Sequence, residues 1–96
     1  MPSAPHFIVH DRSDTVGVVV VEDVRAGQEL EGWVMDGDAT VRVTARAAIP
    51  LGHKLALRDI ADGDTVIKYG HDIGRAVEAM PAGGSVHAHN LKTKRW

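Results

Sequence analysis

No cysteine occurs among the 96 residues. That absence excludes a disulfide scaffold, a thiolate nucleophile and cysteine-ligated zinc or iron–sulfur centres, and it fits a reducing cytoplasm. Aromatic residues are nearly as scarce. Phe7, Trp33, Tyr69 and Trp96 are the whole set, so a core has to be built from valine, isoleucine, leucine and alanine, and the prominence of valine favours strands. No stretch approaches the roughly 18 apolar residues that cross a bilayer. Neither sign of charge prevails: 11 Lys and Arg stand against 13 Asp and Glu, a net charge of −2, which argues against nucleic acid or an anionic membrane as partner. Only the terminal "KTKR" is locally basic. The opening "MPSAPHFIVHDRSD" has no basic segment leading into an apolar one, so it does not read as a secretory signal, and a cytoplasmic location is expected.

What is present is a recurring glycine. "VRAGQEL", "IPLGHKL", "IADGDTV" and "MPAGGSV" each carry an apolar residue, a glycine three positions on and a second apolar residue three beyond that, with the glycines at Gly27, Gly52, Gly63 and Gly83. Glycine fixed between short apolar segments is what a tight turn with positive φ requires, so each copy reads as strand, turn, strand. Pro50 and Pro81 follow the first apolar residue in two copies, where a φ preset near −65° suits the entry to a turn. The unequal periods and short units argue against a solenoid. They predict a single all-β domain spanning residues 1–96. Of the segments between the turns, "TVGVVVVEDV" reads as a strand buried on both faces and "TVRVTA", which alternates, as one half buried. A short helix near residues 52–59 is conceivable, but extended structure suits the turn pattern better. "GHDIG" and "AGGS" lack the strand–glycine–helix context of a nucleotide-binding loop.

Chemistry concentrates in two places. His87, Ala88, His89 and Asn90 are consecutive, and on a strand residues i and i+2 share a face, about 6.5–7 Å apart at Cα, so the two imidazoles could converge on one metal ion. The pair offers at most two ligands; a third has to come from elsewhere. The alternative is an ordinary polar strand face. His53 and Lys54 follow the turn glycine Gly52. They read either as an exposed turn or as a base with a cation that holds an anionic group. His6, His10 and His71 read as surface imidazoles with local partners, Trp33 as a core or interface anchor, and Trp96 as a docking residue, because a solvated terminal tryptophan wastes its apolar area.

Residues 49–96, with "GHK", "IKYG-x-x-IG" and "HxHN" in order, resemble the small SAF-type domain of the altronate and galactarate dehydratases. The N-terminal "HFIVHDRSDTVGVVVVEDVRAGQELEGWV" is further similar to the free-standing alpha subunits of (2R)-sulfolactate sulfo-lyases. The resemblance implies a β-clip fold, a larger beta subunit as partner, a small anionic substrate and a ferrous (Fe2+) lyase. The implied reaction is elimination of sulfite from (2R)-3-sulfolactate to give pyruvate. Loss of water from a sugar acid is the alternative within the class, and a non-catalytic assembly module the alternative outside it. The site it implies has His53 and Lys54 as catalytic residues, His87 and His89 at the metal, and Asn90 and Lys92 at the substrate. His53, His87 and His89 remain interchangeable candidates for base and ligand.

Overall fold

A computed structural model describes residues 4–68, 70–86 and 91–92, the last by its backbone alone. The described residues form nine strands and no helix: β1 (Phe7–Val9), β2 (Val16–Val19), β3 (Glu29–Val34), β4 (Ala39–Thr44), β5 (Lys54–Ala56), β6 (Thr65–Lys68), β7 (His71–Ala76), β8 (Ser85–Val86) and β9 (Leu91–Lys92). The expected all-β, β-clip architecture is what they build. Six strands make one sheet in the order β4-β3-β1-β2-β5-β8, and three make a second in the order β6-β7-β9. Pairing is antiparallel except between β1 and β3.

All four repeated glycines lie at turns with positive φ, +87° at Gly27 and Gly52, +92° at Gly63 and +85° at Gly83. Each turn closes in the same way. The residue after the glycine donates its N–H to the carbonyl two before it: Gln28 to Arg25, His53 to Pro50, Asp64 to Ala61 and Gly84 to Pro81. This is the hydrogen bond of a type II turn with glycine at the third position. Pro50 and Pro81 therefore stand at the first position, contributing their carbonyls, and Leu51 and Ala82 take the second.

The turns also embrace in pairs. Gly27 donates its N–H to the Ala45 carbonyl and Gly52 to that of Val19, while Gly63 donates to Ala76 and Gly83 to Ala56. Single antiparallel bridges join Val24 to Ile49 and Ile60 to Met80. The same clasp is thus built twice, and each copy closes over its own core. Phe7, Val9, Val19, Val24, Leu30, Ile49 and Leu55 fill the first. Val16, Ala56, Ile60, Val66, Met80 and Val86 fill the second.

Phe7, fully buried, lies over two strand glycines: a Cβ on Gly32 would run into its ring, and one on Gly17 would come within 2.8 Å of it. The bulk of one aromatic is accommodated by removing two side chains. The valine run of β2 departs from the expectation of burial on both faces. Val16, Gly17 and Val19 are buried, but Val18 is half exposed and Val20, just beyond the strand, is 38% exposed. The second core covers the outer face of the six-stranded sheet only at the corner of Val16, Ala56 and Val86, and the rest of that face has no layer over it among the described residues. On β4, Val41 and Val43 are half buried and the other residues of the strand exposed, as the alternation requires.

Candidate functional site

The turn at Gly52 delivers the His–Lys pair. His53 is its last residue; its N–H is bound to Pro50 at 3.0 Å and its carbonyl accepts from Val19 at 2.9 Å, so the backbone is fixed while the imidazole is exposed. Lys54 begins β5 and is half buried. Its cross-strand neighbours are Val18 on one side and Val86 on the other. Lys54 thus stands in register between two valines, of which Val86 belongs to the second core.

Val86 ends β8 in the six-stranded sheet, and β9 belongs to the three-stranded one, where Leu91 pairs with Ala76 and Lys92 with Arg75. His87, His89 and Asn90 lie outside the described residues. Lys92 is placed in the three-stranded sheet by its backbone, opposite Arg75. Among the described residues no group of three or more histidines and carboxylates is placed to hold a metal ion, so His53 there offers one imidazole and not a ligand set.

A second constellation, not anticipated from the sequence, clamps the "IKYG" hairpin. Asp14 and Thr15 are buried. The Asp14 carboxylate accepts the Gly70 N–H at 2.8 Å and that of Asp11 at 3.3 Å, while the Thr15 hydroxyl accepts the Ile67 N–H at 2.9 Å. Burying a carboxylate is unfavourable without such donors. The preceding loop is tied locally: the Ser13 N–H and hydroxyl both donate to Asp11, and this pair of bonds, side chain first, holds the Asp11 carboxyl below its ordinary 3.8. The only sequence signal was the "DRSD" turn composition.

A groove of about 780 Å³ opens at the β4 side of the first core, with Val9, Val34 and Val43 at its floor and Arg12, Asp36 and Arg42 around it. Its arginines are engaged, Arg12 with Asp36 at 3.1 Å and Arg42 with Glu31 at 3.3 Å. Neither His53 nor Lys54 lines it. His6 has a structural role: its Nδ1 accepts the Glu31 N–H at 2.9 Å. Trp33 is half buried and donates its Nε1–H to Asp38 at 2.8 Å.

Fold and site together define a small β-clip domain that carries an imidazole and an ammonium on a turn at its rim. Residues 5–94 match the altronate/galactarate dehydratase SAF domain, and the chain belongs to that family. It is 61% identical over 90 residues to the (2R)-sulfolactate sulfo-lyase subunit alpha of Chromohalobacter salexigens, covering 94% of this chain and 96% of that one. With the subunit alpha of Paracoccus pantotrophus it shares 54% identity over 63 residues, 66% of this chain and 94% of the other. The altronate dehydratase of Bacillus subtilis is 32% identical over 87 residues, which are 91% of this chain but 16% of that enzyme. The family is one of lyase components.

Proposed function

We propose that the chain is the small subunit of a lyase that eliminates sulfite from (2R)-3-sulfolactate, and that the turn at Gly52 faces a site completed by a larger subunit. The observation that carries this reading is the likeness to a sulfo-lyase alpha subunit over nearly the whole length of both chains. The substrate is a dianion with a carboxylate on the carbon that loses a proton and a sulfonate on the next. A base removes the C2 proton, the C–H electrons form the C2–C3 double bond, and the C3–S bond breaks with its electron pair leaving on sulfite. The enol left behind tautomerises to pyruvate. An exposed imidazole at His53 suits the base, and Lys54 beside it suits one of the two anionic groups. Ferrous iron, held by His87 and His89 with ligands from the larger subunit, would supply a Lewis acid for charge developing on the carboxylate.

The test is a steady-state assay of sulfite and pyruvate release with the purified chain, the larger subunit, and the two mixed. Turnover is expected only in the mixture. Turnover by the small chain alone, or its absence from a verified complex, overturns the proposal. Loss of water from altronate without sulfite release from sulfolactate would favour the dehydratase reading, which the likeness to altronate dehydratase supports.

A further inference from the structure

Among the described residues the six-stranded sheet leaves most of one face open, and what stands on it is unusual for a surface. Registers across five strand pairs place Thr40, Trp33, Ile8, Val18, Lys54 and Val86 in one row. Residues two apart along a strand share a face, so Val20 and Met35 flank that row on the same side. Val20 is 38% exposed and Met35 44%. Trp33, Ile8 and Val18 are half buried. The strip runs into the turn at Gly52, because the Gly52 N–H is bound to the Val19 carbonyl, and there Leu51 is 52% exposed.

Leu51 shows that this is not a general property of the fold. The four turns are equivalent in geometry, and their second positions hold Ala26, Leu51, Asp62 and Ala82. Turn geometry alone accepts a small or charged residue there. The large apolar one occurs on the turn that carries His53 and Lys54, which the Gly52–Val19 bond sets beside the Val20 end of the strip. A contiguous apolar surface of this kind, headed by a tryptophan, marks a contact with another macromolecule.

We propose that this strip, Met35–Trp33–Ile8–Val18–Val20 with Leu51, is the surface on which the larger subunit docks through an apolar patch of its own. The inference rests on the reading of the chain as a small subunit. Two observations choose the occupant. In the dehydratase relative the same domain is a small part of a much longer chain, whereas in the sulfo-lyase relatives it is a separate alpha subunit; a separate subunit needs a non-covalent surface to do what a covalent link does in the longer chain. The strip is also continuous with Lys54, so a partner seated on it reaches the turn that carries the candidate site.

The experiment titrates the purified chain against the companion larger subunit of the Chromohalobacter salexigens sulfo-lyase. Leu51→Asp reproduces the residue of the equivalent turn at Gly63, and Val20→Lys alters an exposed position; both variants are expected to fold, checked by an unchanged thermal midpoint. Should Val20→Lys unfold the chain, Val20→Thr, nearly the same shape, replaces it. Ala26→Asp places the same charge at the equivalent position of a turn that is not part of the strip. Leu51→Asp and Val20→Lys should weaken Kd by about 30-fold or more, the size of an interface hot spot, and Ala26→Asp by less than about threefold. If the parent chain binds and all variants bind alike, the docking surface is refuted while the complex stands. If the parent chain does not bind, both readings fall. If instead the chain self-associates without the larger subunit and the two strip variants disperse it, the strip is a contact between copies and the proposal is wrong.

Discussion

Phe7 and Lys54 illustrate how a single residue acquires meaning from its neighbours. Phe7 was not singled out as core by the sequence, and the reason it fits there, two glycines on the flanking strands, is visible only once β1 lies between β2 and β3. Lys54 was legible only as a cation after a turn, and its valine neighbours come from strands 36 positions before it and 32 after it in register, Val18 and Val86. The histidines give the sharpest prediction at this scale. If His53, His87 and His89 serve the reaction, replacing any one by alanine in the assembled complex should lower kcat/KM by about 100-fold or more, corresponding to roughly 2.7 kcal/mol of transition-state stabilisation. Ala88→Ser should change it little. Gel filtration establishes that the complex is intact, and unchanged turnover in the histidine variants would make the subunit a scaffold.

At the scale of elements, the glycine turns were the most legible part of the fold, because a positive φ is a local demand that the sequence has to meet locally. Their pairing was not legible. Ala45, Ala56 and Ala76 each stand seven positions before a turn glycine, at Gly52, Gly63 and Gly83, and each exchanges hydrogen bonds with a turn from a distant segment; an alanine gives little warning of such a role. The surroundings of the glycines predict different tolerances. A Cβ on Gly63 would meet nothing within 4 Å, whereas one on Gly83 would run into the Thr44 backbone. Gly63→Ala should therefore cost only the strain of the left-handed conformation, about 1–2 kcal/mol, and Gly83→Ala clearly more, since backbone has to move. Urea denaturation of the two variants decides it, and equal losses would contradict the close approach.

For the whole molecule, the sequence correctly implied a small β architecture but not its division into two sheets and two cores, nor the open outer face, because apolar character does not say what covers a residue. Long-range polar ties also escape a linear reading. Arg12 donates to Asp36 from its side chain and its backbone N–H, joining the loop after β1 to the β3–β4 hairpin. The side-chain bond first, then the backbone one, holds the Asp36 carboxyl below its ordinary 3.8. A depressed carboxyl contributes stability that is present above its unfolded value and is lost as pH falls through the folded one. Both groups are exposed, so the effect should be small. The difference in thermal midpoint between the parent chain and Asp36→Asn should shrink as pH falls from 5 toward 2; a difference that stays constant would show that the pair does not titrate as a unit.

The order of the two clasps along the chain has a further consequence during synthesis. Every member of the first core, from Phe7 to Leu55, precedes every member of the second except Val16. A polypeptide leaving the ribosome amino end first can close its first clasp before Ile60 and the later segments of the second emerge. The second then closes on a finished surface, with Val16 waiting in β2 to receive it, and the nascent chain is spared an interval in which both hydrophobic interiors lie open together.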